Sequence, residues 1–196
     1  MRLEDAALYL QLDRAPSAPA DAASLVRAAI AGGADVIQMP GTDGMAAETH
    51  AAIVAVCRED DALVLVADDC AAAIAAQADG VVLSGSEGSL GQARASLGMT
   101  ALVGMQVGHI DEAGLALEVG VDFLIYVGGT ATPGAFAMLA GAAGNILYAG
   151  GLDGPDAARA VVAGGVYRLC VAASRVQDGN VAENVAAYSR ILGRCL

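Results

Sequence analysis

Eight times along this chain a short apolar run gives way to an alanine-rich, helix-like segment, and no other feature limits the fold so strongly. The runs are ALYLQL (7–12), DVIQM (35–39), LVLVA (63–67), GVVLS (80–84), ALVGMQV (101–107), DFLIYVG (122–128), NILYAG (145–150) and YRLCVAA (167–173). Helix-like segments follow near 20–31, 45–58, 70–77, 88–97, 111–119, 134–141, 155–163 and 180–192. Near-continuous apolar runs belong to strands buried on both faces, the habit of parallel strands covered by helices. The phrases AGGADV (31–36), AQADGV (76–81), EVGVDF (118–123) and AGGVYR (163–168) repeat one punctuation, a small residue or glycine at a helix end and then a strand. Glycine caps a helix there because it tolerates the left-handed conformation. Pro155 in LDGPDAAR opens a helix, where its missing N–H is no loss. Eight βα units without a linker predict a single (β/α)8 TIM barrel, one α/β domain over residues 1–196. A doubly wound open sheet would need a glycine fingerprint after its first strand, and LQLDRAPSAP has none.

Composition narrows the partners. Hydrophobic residues make up 56% of the chain, yet no apolar stretch is long enough to span a membrane. The start, MRLEDAALYLQLDRA, carries Glu4 and Asp5 ahead of a short apolar run, unlike a secretory leader. A soluble, cytoplasmic protein is expected. Acidic residues number 22 against 10 basic ones, a net charge of −12, and every basic residue is arginine. Such a surface repels nucleic acid and anionic membrane. It also repels small anions unless arginine, a metal ion or backbone N–H groups receive them. Cys57, Cys70, Cys170 and Cys195 lack metal-site spacing and read as reduced thiols. The apolar content is compatible with a homodimer.

In a barrel, function collects after the strands, at their C-terminal ends. The rim so defined holds Asp13 and Arg14, then Gln38 to Asp43, Asp68 and Asp69, and Ser84 to Glu87. Beyond these come Gln106, Gly108 and His109, Gly128 to Thr132, Gly150 to Asp153, and Ala172 to Arg175. Gly150 and Gly151 suit a phosphate site, because loops after the last two strands bind phosphate through backbone N–H groups that glycine lets come close. Asp68 and Glu87 end adjacent strands, and two carboxylates at one mouth suit Mg²⁺, which takes oxygen ligands. Asp69 is the better candidate for capping the next helix. His109 is a candidate general base, a role to which histidine side chains are suited.

The residues also resemble thiamine phosphate synthase and its relative, the thiazole tautomerase of the TenI type. The resemblance runs from about Leu8 to Ser174, on LYLQLD, AGGADVIQM, ADDCAAAIAAQADGVVL, ARASLG, VDFLIYVG and YAGGLDGPDAARAVVAGGVYRLCVAAS. It implies an enzyme joining a pyrimidine pyrophosphate to a thiazole phosphate with Mg²⁺, so a small phosphorylated substrate. The family's metal-binding aspartates fall on Asp68 and Glu87. Its thiazole phosphate site falls on Gly150, Gly151, Val171 and Ala172, largely through backbone, and the glutamine of its Gln-Leu-Arg-x-Lys motif falls on Gln38. The Thr-x-Thr-Lys loop reads Thr130-Ala131-Thr132 without its lysine. The motif's arginine and lysine fall on Pro40 and Thr42, and the asparagine before Asp68 falls on Ala67. The tautomerase histidine falls at or next to Gly108, beside His109. Arg14 and Arg175 are the basic residues left at the rim. Three functions therefore stand open: a synthase with an eroded active site, a tautomerase or other small-phosphate isomerase, and an inactive barrel that binds a ligand or a protein.

Overall fold

A computed structural model describes residues 1–14, 18–84, 88–118, 120–128 and 146–194. The expected helix over 134–141 lies outside the described residues, as does Cys195. Eight strands close into a barrel in chain order, every pair parallel. They are β1 (Leu8–Gln11), β2 (Val36–Met39), β3 (Leu63–Ala67), β4 (Gly80–Leu83), β5 (Leu102–Val107), β6 (Phe123–Tyr126), β7 (Ile146–Ala149) and β8 (Leu169–Ala172). The described helices are α1 (Pro19–Ala31), α2 (Ala47–Glu59), α3 (Cys70–Ala76), α4 (Gly88–Leu97), α5 (Ile110–Glu118), α6 (Pro155–Ala163) and α7 (Val181–Ile191). The (β/α)8 expectation is therefore met. No helix among the described residues is long and apolar enough to cross a membrane.

Apolar residues on both strand faces produce two cores. The larger lies between barrel and helices and includes Leu10, Ile37, Val66, Val81, Leu124 and Val171. The smaller fills the barrel with Tyr9, Leu65, Val82, Phe123, Ile125 and Tyr148. The Tyr9 and Tyr148 rings lie 5.3 Å apart, and Phe123 stands 6.2 Å from one and 6.0 Å from the other, at the tilted angles aromatic pairs prefer. Gly104 makes room for this cluster, since a Cβ there would fall 2.2 Å from the Phe123 ring.

The repeated phrases have a structural meaning at the N-terminal end of the barrel. Asp35, Asp79 and Asp122 each stand one residue before an even-numbered strand. Their carboxylates accept the N–H of Leu8, Val64 and Val103, at 2.9, 2.8 and 2.7 Å. Arginine locks two of the three. Arg194 grips Asp35 with both guanidinium nitrogens at 2.6 and 2.8 Å, and Arg94 reaches Asp122 at 2.8 Å. Arg168, at the same end, donates to the carbonyls of Ala6 and Glu4 beside a 3₁₀ turn, Leu3–Asp5, whose Leu3 joins the inner core.

Candidate active site at the C-terminal rim

The opposite end is built differently, from carboxylates that hold hydroxyls and backbone N–H groups. Asp13, after β1, accepts from the Ser174 N–H at 2.9 Å and from its hydroxyl, tying β1 to the end of β8. Asp68, after β3, takes the Ser84 N–H at 2.7 Å and the Ser84 hydroxyl, tying β3 to β4. Asp68 holds this pose with φ of 50°, in the left-handed region. Asp69 caps α3 as expected, accepting from Ala72 N–H at 2.8 Å. Its other oxygen takes the Thr42 N–H at 3.0 Å and hydroxyl at 2.7 Å, which fastens the loop after β2. These hydrogen bonds, the Ala72 N–H first, favour the charged form and bring the Asp69 pKa down to about 2.

Gln38 is buried on the inner face of β2, and its Oε1 accepts from the Tyr9 hydroxyl at 2.7 Å. Burial pushes the Tyr9 pKa well up, so the phenol stays a donor. Pro40 and Thr42, where the family has basic residues, are fixed in place: the Pro40 carbonyl lies 2.7 Å from Nε2 of the buried His50. His109 is exposed at the N-cap position of α5. The Glu112 carboxylate reaches back to accept the Gly108 and His109 N–H groups at 2.8 and 3.1 Å, half of a capping box. Those bonds, Gly108 first, lower the Glu112 pKa.

The phosphate candidate forms where β7 meets β8. Gly150 is buried, its N–H donates to the Tyr126 carbonyl at 2.8 Å, and a Cβ there would lie 2.9 Å from Val127 Cγ1. Gly151 turns left-handed at φ of 65°, and its exposed backbone faces solvent at the rim. Arg175 reaches Asp153 at 2.8 Å, an exposed ion pair that bridges the loops after β7 and β8. Ala172 shares the inner face of β8 with Cys170. Val171 packs outward under the helices, and its backbone pairs in register with Leu10. Glu87, Thr130 and Thr132 lie outside the described residues.

Among the described residues every arginine except Arg14 meets a carboxylate or a backbone carbonyl. Among the described residues the thiols are held in the protonated, weakly nucleophilic form. Burial pushes the Cys57 pKa up to about 12 and raises that of Cys170, and burial then the Asp69 charge raise that of half-buried Cys70. One mouth residue lies outside the rim set drawn from the sequence, Gln11 on β1, whereas Gln106 on β5 belongs to that set. The signal was available: Tyr9 and Gly104 face the barrel interior, and a residue two further along a strand shares that face.

A closed parallel barrel of eight strands with a glycine loop after β7 and a polar mouth is a (β/α)8 barrel, the class whose sites lie at the C-terminal rim. Within that class the assignment is specific: residues 8–134 match the family described as thiamine monophosphate synthase, and the chain belongs to it. The thiamine-phosphate synthase of Chromobacterium violaceum is 32% identical over 157 residues, 72% of this chain and 75% of that one. The synthases of Methanospirillum hungatei and Methanoculleus marisnigri are 32% and 36% identical over 61% and 60% of this chain. The matched stretches span 60% and 57% of those two relatives' own lengths. In three dimensions the chain is similar to thiamine phosphate pyrophosphorylase from Pyrococcus furiosus, with a TM-score of 0.83, 26% identity and 97% of each chain covered.

Proposed function

We propose that this protein acts in thiamine biosynthesis as a thiamine phosphate synthase, joining a pyrimidine pyrophosphate to a thiazole phosphate. The observation that carries the reading is the β7–β8 glycine loop in a chain of this family. Gly150 leaves no room for a side chain and Gly151 holds a left-handed turn, so backbone comes close to a bound phosphate. That kind of site serves a chain without lysine. Arg175 adds charge at the edge of the loop, and the loop holding Thr130 and Thr132 is assigned to the substrate through the family resemblance.

The chemistry of Asp68 suits Mg²⁺. Asp68 is an exposed oxygen donor, and the two hydrogen bonds from Ser84 leave each carboxylate oxygen with a lone pair. We assign Asp68 and Glu87 to the ion. An ion held by these carboxylates would supply positive charge to the pyrophosphate of the substrate. The protein's own part is to hold the two heterocycles at the mouth, with Gln38 hydrogen-bonded by Tyr9 and the thiazole phosphate on the glycine loop. Orientation of this kind removes much of the entropic barrier to a two-substrate reaction.

A second reading has its own observation. Pro40 and Thr42 stand where the family has arginine and lysine, and Thr42 is committed to Asp69. A monophosphate isomerase needs no pyrophosphate clamp, and His109, exposed at the head of α5, is its general base. The discriminating experiment supplies both synthase substrates with Mg²⁺ and follows pyrophosphate release and thiamine phosphate formation. Mg²⁺-dependent release, lost in Asp68→Asn, supports the synthase. Isomerisation of a thiazole phosphate without release, lost in His109→Ala, supports the isomerase. Neither activity would contradict both, and binding of thiamine phosphate without turnover would identify a ligand-binding barrel.

A further inference from the structure

On a chain of net charge −12, the outer face formed by α2 and α3 is almost free of charge. The α3 sequence, CAAAIAA, has no charged side chain, and Ile74 on it is 53% exposed. Ala71 and Ala75 are exposed beside it. Between the two helices runs a groove of about 280 Å³, with Ala51, Val54 and Ala55 on one wall and Ala72 and Ala75 on the other. Left in solvent, this apolar surface lacks the stabilisation that burial at an interface would give it.

The few charges present indicate what covers it. Glu48, Ala51, Ala55 and Arg58 are spaced by three, four and three, so they form one line along α2, and all four are exposed. Glu48 stands at one end and Arg58 at the other. Among the described residues neither meets a side chain of opposite charge, and Arg58 donates instead to the Gln77 carbonyl at 3.1 Å. Glu59, next to Arg58, turns away to Arg27 on α1 at 2.9 Å. A line with acid at its head, base at its foot and alanine between is complementary to itself run backwards. Laid antiparallel across a two-fold axis, Ala51 meets the partner's Ala55, and Glu48 meets the partner's Arg58 once in each direction. Alanine leaves the helix surface low enough for the two backbones to come close. A partner of different sequence would not reproduce that order of charge, whereas a second copy matches it by symmetry.

We infer that the α2–α3 face is the contact between two copies of this chain, with α2 packed antiparallel on its symmetry mate, Ile74 covered, and Glu48 paired with the partner's Arg58. The test is sedimentation equilibrium of the full chain and of charge-exchanged variants. Wild type is expected to be a dimer that loosens as salt is raised. Glu48→Arg and Arg58→Glu each set like charges opposite one another and weaken the dimer roughly tenfold or more. The double exchange, Glu48→Arg with Arg58→Glu, restores the complementarity in reverse and returns the affinity to near that of wild type. Ile74→Glu, at an exposed position that the fold does not use, also shifts the dimer to monomer. Melting curves report whether each variant is folded. Should Arg58→Glu melt early, because Arg58 also holds the Gln77 carbonyl, Glu48→Arg and Ile74→Glu decide the matter. A wild-type chain that stays monomeric into the millimolar range overturns the inference. So does a dimer that Glu48→Arg and Ile74→Glu leave intact, since it would use another face. A folded double exchange that dissociates as readily as the single variants overturns the antiparallel pairing.

Discussion

The two ends of the barrel use the same acidic residues for opposite purposes. At the N-terminal end Asp35 is buried, accepts the Ala7 and Leu8 N–H groups, and is gripped by Arg194. Asp122 accepts from Val103 and pairs with Arg94. Charge there is neutralised in place and the strands are pinned. At the C-terminal end Asp13, Asp68 and Asp69 hold serine and threonine hydroxyls and backbone N–H groups, so their charges stay uncompensated. One end spends arginine on architecture. The other keeps exposed negative charge beside a glycine loop, an arrangement suited to a cation and a phosphate brought together.

Substitutions at the two ends sharpen this contrast. The largest effect is expected from Asp35→Ala, which leaves two strand N–H groups and Arg194 without their carboxylate. Breaking a buried pair costs on the order of 3 kcal/mol, which lowers the melting temperature by roughly 6–12 °C, while phosphate affinity per folded molecule stays that of wild type. Calorimetric melting and titration read both quantities. Gly150→Ala follows, with a Cβ 2.9 Å from Val127 and 3.0 Å from Ile125. Overpacking there costs about 1–3 kcal/mol and displaces the loop, so phosphate binding is lost with only modest destabilisation. Asp69→Ala removes a helix cap and costs about 1 kcal/mol. Asp69 has its pKa lowered to about 2 in the folded protein, so its contribution is full above the unfolded value near 3.9 and fades as pH falls through about 2. Wild type and Asp69→Ala therefore differ in urea midpoint at pH 7 and converge in acid. The smallest effect on stability is Arg175→Ala, within about 0.5 kcal/mol because its pair with Asp153 is exposed. Its weakening of phosphate binding exceeds that, which separates the two roles.

Most of the barrel was legible because apolar periodicity survives in every strand. LVLVA at 63–67 and the helices over 88–97 and 155–163 fall where expected, and the other expected strands and helices among the described residues differ by one or two residues at their ends. The 3₁₀ turn at Leu3–Asp5 left no trace, since three residues carry no period. At the rim, Asp69 was legible as a cap because that bond is local. Its second bond, to Thr42, spans 27 positions and depends on how the loops after β2 and β3 meet. The same holds for Asp68 with Ser84 and Asp13 with Ser174. Gln11 was hidden for another reason: inside a parallel strand both faces are apolar, so one polar residue does not announce which way it points.

The proposed activity depends on a phosphate seated on the β7–β8 loop. Its most direct test is calorimetric titration of thiazole phosphate into the wild-type protein and into Gly150→Ala. The expected result is saturable binding of one ligand per chain by wild type and none by the variant, with both proteins folded. Wild-type heats no different from dilution, or equal binding by the variant, would contradict it.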